Sequence, residues 1–184
     1  MNTTRLLRLT SVVLLAGFAV LFSGCDTCSP GKPGPIAKYN IQVNLDQSLK
    51  DSSMLVDLVG VNPTSLPSWE AYSMTKYWQT GDAKRADAFD KFTVSFVSGK
   101  SLSDNLKMND PLWNKWLARG VTHVLVLANL PGPARADHPG NQDPRRQILP
   151  LGQCSWAKGT NTLNILVQQS GIEILTPPRN VMAK

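Results

Sequence analysis

The 184-residue sequence is short of recognisable chemistry. It contains no G-x-S-x-G elbow, no glycine-rich phosphate loop and no H-E-x-x-H pair. Their absence excludes the serine-hydrolase, nucleotide-binding and zinc-peptidase arrangements that those spacings build. No nucleophile stands beside a credible base, which argues against a hydrolase. No internal repeat or low-complexity block is present. Basic residues are interspersed with acidic ones, and no basic run extends beyond Arg145-Arg146, so nucleic acid is not an expected partner. The apolar run near the N-terminus, Leu9 to Phe22, has fourteen residues, short of the roughly 20 that span a hydrocarbon core.

That run has a different signature. Arg5 and Arg8 precede it with no acid, and Ser23, Gly24 and Cys25 follow it, the layout of a cleaved export signal. Leu21-Phe22-Ser23-Gly24-Cys25 resembles the lipobox of bacterial lipoproteins. The resemblance implies cleavage before Cys25, a diacylglycerol on its thiol and a further acyl chain on its freed amine. Two or more chains hold a protein on a membrane stably. Residues 1–24 are thus expected to be a signal peptide. Removing them takes two of 19 basic residues and none of 13 acids, so the formal charge becomes 17 − 13 = +4. Such a surface favours anionic lipid heads or an acidic partner.

Three cysteines are present. With Cys25 lipidated, Cys28 and Cys154 remain, in a compartment where disulfides persist. They are either a bridge between the N-terminal segment and the domain or two unpaired thiols. Residues 25–37 hold the prolines and glycines of SPGKPGPIA and read as a lipidated start followed by a flexible tether.

From residue 38 to 184 the sequence predicts one domain. Tyr39, Ile41, Val43 and Leu45 alternate with polar residues, as do Phe92, Val94 and Phe96, the period-two signature of half-buried strands. Leu55–Val61 is another strand. Val121–Leu127 is apolar on both faces apart from Thr122 and His123, which predicts a central strand covered on both sides. Arg146–Leu151, Thr162–Gln168 and Gly171–Leu175 complete the set, with a tight turn at Gln169-Ser170-Gly171. Asn109-Asp110-Pro111 opens a helix over Leu112–Arg119 with Trp113, Trp116 and Leu117 on one face, and Lys84–Asp90 suits a second short helix. Helices are missing between most strands, so the pattern predicts an all-β, two-sheet antiparallel sandwich.

Candidate functional side chains are few. His123 lies in the most apolar strand and reads as a buried, hydrogen-bonded histidine. The Pro/Gly-rich loop 129–147 carries His138, Asp137 and Asp143, a weak metal set. It also carries Arg135, Arg145 and Arg146, which suit carboxylate or phosphate recognition or else form a solvated surface. The tryptophans are either a glycan platform or core packing. No catalytic residue, metal ligand or cofactor is assigned.

The lipobox, the short tether, the two opening strands and the tryptophan-rich middle are joined by a late segment from Asp143 to Leu151, then Trp156 and Leu163–Gln168. Together these features resemble the TssJ (SciN) lipoproteins of type VI secretion systems. That resemblance implies a transthyretin-like β-sandwich without enzymatic activity, anchored in the outer membrane and bound to the periplasmic part of TssM. It implies that the loop between the first two strands, Asp46–Ser53, makes this contact. Leu49 is the only large apolar residue there, and Leu49, Lys50 and Asp51 are the expected contact residues. Asp26, directly after the lipidated cysteine, favours inner-membrane retention in enteric bacteria. The alternative reading is an envelope lipoprotein outside secretion that binds a protein or glycan through its loops.

Overall fold

A computed structural model describes residues 28, 32–88 and 90–179. The expected signal peptide and Cys25 lie outside the described residues. Eight strands form two four-stranded sheets. In the first sheet, β1 (Asn40–Leu45), β4 (Ser103–Leu106), β7 (Thr162–Gln168) and β8 (Gly171–Ile174) lie in the order β4-β1-β7-β8. In the second, β2 (Met54–Val61), β3 (Lys91–Phe96), β5 (His123–Ala128) and β6 (Arg146–Pro150) lie in the order β3-β2-β5-β6. This is the all-β sandwich that the alternation implied.

The inward residues of both sheets make one core. Ile41, Val43, Leu163, Ile165 and Val167 from the first sheet meet Val56, Leu58, Val94, Val124 and Val126 from the second, all buried. The outward face of the first sheet is polar: Gln42 Nε2 donates to Ser103 Oγ at 2.5 Å, and Ser103 Oγ donates to Asn44 Oδ1 at 2.9 Å. One pairing departs from the antiparallel expectation. β1 and β7 run parallel, Asn40 beside Thr162 through Leu45 beside Val167. A parallel pair requires a long crossover, and here all of β2 to β6 serves as that crossover.

The second sheet is covered on its outer face too. Val59, Val61, Leu125 and Leu127 pack beneath Trp69, Met74 and Tyr77. These come from two short helices, α1 (Leu66–Glu70) and α2 (Met74–Tyr77). This layer explains why β2 and β5 are apolar on both faces. Asp57 is fully buried on the same face and accepts from Tyr77 Oη (2.9 Å), Arg85 Nε (2.9 Å) and Thr93 Oγ1 (2.7 Å). Arg85 belongs to α3 (Ala83–Asp87), so the carboxylate fastens the helical layer to the sheet. A buried charge without such donors would be strongly unfavourable.

The fourth helix, α4 (Leu112–Ala118), begins where Asp110 Oδ1 accepts from Leu112 N (2.8 Å) and ends before Gly120, whose φ of 68° suits glycine. Trp113 and Trp116 are buried, and Leu117, 38 % exposed, lies at the rim of their face. Each residue advances about 100° around a helix, which sets Leu117 about 40° from Trp113, on the side away from Trp116.

The free tether expected over residues 25–37 is corrected for residues 32–37. Residues 32–37 are docked along residues 151–154. Ala37 N donates to Leu151 O (3.0 Å), Gln153 N to Pro35 O (2.9 Å) and Cys154 N to Pro33 O (3.0 Å). Ile36 packs against the core. Proline lacks a donor but keeps its carbonyl, so an extended proline-rich segment can still accept from a neighbouring chain. Cys28 and Cys154 form a disulfide, with Cα atoms 5.3 Å apart. The two segments touch so closely that a Cβ on Gly152 would stand 2.1 Å from Pro33 O.

Candidate docking surface

Strand direction sorts the connections to two ends of the sandwich. Segments 46–53, 97–102, 129–145 and 169–170 gather at one end. Segments 32–39, 107–122 and 151–161, with the disulfide, occupy the other, from which the long connection between β2 and β3 also leaves and returns. The loops of the first end are fastened to one another and to the sheets. Gly99 N donates to Lys50 O (3.1 Å), Ser98 N to Ser53 Oγ (3.1 Å) and Asn129 N to Leu55 O (2.9 Å). Ile172 N donates to Pro144 O (2.9 Å).

Within 46–53, Asp46 ends β1 and caps a single 3-10 turn, Gln47–Leu49, by accepting from Ser48 N at 2.9 Å. The hydrogen bonds from Ser48 hold the Asp46 carboxyl below its ordinary range. The turn swings Leu49 inward, where it is 2 % exposed and part of the core. The expectation of Leu49 as an exposed contact residue is therefore corrected: it is the hydrophobic plug of its own loop. Lys50 and Asp51 are exposed. The exposed apolar side chain at this end is Val97, at 53 %, next to the segment that bonds Lys50. A sequence signal for it existed. The alternation Phe92, Val94, Phe96 places the next residue, Val97, on the outward side.

The long loop is built on buried arginines. Arg145 donates through Nε to Asp143 Oδ1 (2.9 Å) and through a terminal nitrogen to Asp143 Oδ2 (2.9 Å) and Asp137 Oδ1 (2.8 Å). Asp137 also accepts from Ser73 Oγ (2.5 Å) and Thr75 N (2.8 Å) in α2 and its cap. Burial works against the charge on Asp137, yet the donors from Ser73, Thr75 and Arg145 outweigh it and hold the carboxyl at about 2. Burial opposes the charge on Asp143 as well; bonds from Arg145 and His138 N overcome it and lower its pKa. Asp137 and Asp143, the two carboxylates of the weak metal set, are thus joined by an arginine cation.

Arg146 is fully buried and meets only carbonyls: Gly140 O (2.9 Å), Trp69 O (2.9 Å), Tyr72 O (2.9 Å) and His138 O (2.6 Å). Desolvation lowers its pKa. Neither arginine is available as a surface anion receptor, because their guanidiniums tie the loop to the helical layer. Arg135 is half-buried and spans the same end, donating to Pro131 O (3.2 Å) and Gln169 O (2.8 Å).

His138 is exposed, and the remaining candidates are wholly or partly buried. His123 is half-buried with Nδ1 2.9 Å from Thr122 Oγ1, and desolvation lowers its pKa. Trp69, Trp113, Trp116 and Trp156 are buried, which leaves them unavailable as a glycan platform.

No protein-family profile and no curated protein matches the chain. Solved structures do align with it. A chain of the structure described as the C-terminal domain of the T6SS protein TssM from EAEC aligns with TM-score 0.50 at 14% identity. The alignment covers 74% of this chain and 99% of that one. Serratia marcescens Lip, described as a membrane-bound component of the Type VI Secretion System, aligns with TM-score 0.46 at 10% identity over 78% and 99%. The T6SS lipoprotein TssJ1 from Pseudomonas aeruginosa gives 0.45 at 13% over 79% and 99%. At TM-score 0.50 and 14% identity, the first of these is a likeness of fold alone.

Proposed function

We propose that this chain is a non-enzymatic envelope lipoprotein that docks a TssM-like periplasmic domain in a type VI secretion membrane complex. The observation that carries the proposal is the division of the sandwich into two ends. The Cys28–Cys154 disulfide fixes the N-terminal segment at one end, and four interlocked loops form the other. An anchor at Cys25, implied by the lipobox, then leaves the loop end facing away from the lipid. The fold shared with a chain of the TssM-domain structure, at TM-score 0.50, is consistent with this role.

The loop end suits docking because it is held in advance. Arg145 is bonded to Asp137 and Asp143, and Arg135 and Arg146 to backbone carbonyls, so little ordering is required when a partner arrives. Val97, with Lys50 and Asp51 beside it, makes a small apolar contact with a polar rim. Attachment is to the periplasmic side of the envelope. The family resemblance favours the outer membrane and Asp26 the inner, a choice that fractionation decides. The test of function is binding of the purified lipoprotein to the periplasmic domain of a TssM-like protein from the same cell. Val97→Asp together with Lys50→Glu weakens that binding by about tenfold or more, roughly 1.4 kcal/mol, with unchanged thermal stability. A folded double variant that binds as tightly as wild type overturns the proposed surface.

A further inference from the structure

The structure points to a second surface, on the opposite end of the sandwich. We infer that the disulfide end lies flat against the membrane and binds anionic phospholipid headgroups. This inference rests on the lipid anchor proposed above and adds an orientation and a lipid preference.

Its first support is the length of chain available. Cys28 is locked to Cys154, and Cys154 belongs to the folded domain. Only Asp26 and Thr27 separate Cys28 from Cys25. Three residue steps reach about 11 Å at full extension, so the disulfide end cannot move far from the lipid that carries it. Without the bridge the first fixed point would be Pro33, whose carbonyl accepts from Cys154 N. Eight steps then separate it from Cys25, about 27 Å at full extension, enough for the domain to turn over. The disulfide therefore converts a loose anchor into a short one and selects the face that meets the bilayer.

The second support is charge. Segments 32–39, 107–122 and 151–161 carry Lys32, Lys38, Lys107, Lys115, Arg119 and Lys158 against one acid, Asp110. Segment 62–88, which leaves the same end to cover the second sheet, is balanced, with Lys76, Lys84 and Arg85 against Glu70, Asp82 and Asp87. Asp90 adds one more carboxylate, paired with both Lys115 and Arg119. Asp110 is occupied by the bond from Leu112 N at the start of α4. Lys32, Lys107 and Lys158 are exposed. The loop end, by contrast, balances four cations with four carboxylates across its connecting segments. A net positive face held within about 11 Å of a bilayer is attracted to anionic headgroups, and the attraction falls off over a Debye length, roughly 8–10 Å. The short anchor keeps the face to about that range. A membrane surface is favoured over an acidic protein because the anchor itself delivers this end to lipid.

The test uses the full lipoprotein, purified from membranes and reconstituted into vesicles. One set contains phosphatidylcholine and phosphatidylglycerol in equal parts, the other phosphatidylcholine alone. Lysines are acetylated with a water-soluble reagent and quantified by mass spectrometry, which also reads the acyl mass on Cys25. On phosphatidylglycerol vesicles, labelling of Lys32, Lys107 and Lys158 falls about fivefold relative to phosphatidylcholine, while Lys50 and Lys100 are unchanged. The Cys28→Ser variant loses most of that protection. An acylated protein whose disulfide-end lysines label equally on both vesicles overturns this inference and leaves the docking proposal standing. Protection of Lys50 and Lys100 instead overturns both the orientation and the docking surface. A mature chain without the acyl mass overturns the anchor, and this inference with it.

Discussion

Breaking the disulfide provides a quantitative test of how the N-terminal segment is held. Cys28 and Cys154 are 126 residues apart, so their bond closes almost the whole domain into a loop. In the chain-entropy treatment, closing a loop of that size removes about 16 cal/mol/K from the unfolded chain, about 5 kcal/mol at 25 °C. For a domain of this size, 1 kcal/mol moves the melting temperature by about 2–4 °C. Cys28→Ser is therefore expected to lower stability by up to about 5 kcal/mol and Tm by about 10–20 °C. Cys28 is the better position to change, because Cys154 is packed against Gly34 and its loss also disturbs the docked segment. Urea denaturation of oxidised wild type and the variant gives the difference directly. Hydrogen exchange adds a second readout. The amides of Ala37, Gln153 and Cys154 bond to Leu151, Pro35 and Pro33 independently of the bridge and should stay protected in the variant. A loss below about 1 kcal/mol would refute the entropic argument. Loss of protection at all three amides would show that the bridge, rather than the backbone bonds, docks the segment.

Two further outcomes follow from the long loop. Arg146→Met leaves four carbonyls, of Gly140, Trp69, Tyr72 and His138, without their donor and should destabilise the domain by about 3–5 kcal/mol in urea; a variant within about 1 kcal/mol of wild type contradicts the clamp. Asp137, held at about 2, and Asp143, also lowered, have depressed folded-state pKa values. Their contribution is fully present above the ordinary carboxylate range near pH 4 and is lost as pH falls towards 2. Amide exchange in residues 129–145 should accelerate across that window, and Asp137→Asn should blunt the change; exchange that is flat between pH 4 and 2 counts against it.

The parts of the fold visible in the sequence are those where burial alternates. β1, β3 and β7 each expose every second residue, so the period of two marks them. β4, Ser103–Leu106, escapes because a short edge strand of polar residues buries only Leu106. The parallel β1–β7 pairing escapes because alternation identifies a strand and its inward face but says nothing of its neighbour. α1 and α2 are too short to show a helical period, and their aromatic residues read equally well as surface or core. The site was less legible for a related reason. Leu49 stands alone in a polar stretch, and only the 3-10 turn capped by Asp46 reveals that it points inward. Arg145 and Arg146 look like a surface pair because charge is ordinarily solvated. Their burial depends on carbonyls and carboxylates brought from residues up to 77 positions away.

The most direct measurement of the central claim is amine-reactive cross-linking of the lipoprotein in its native membranes, with the linked residues identified by mass spectrometry. Docking through the loop end predicts cross-links from Lys50 and Lys100 to the periplasmic domain of a TssM-like protein, lost in Val97→Asp. Cross-links to that protein confined to Lys107 and Lys158 at the disulfide end would contradict it.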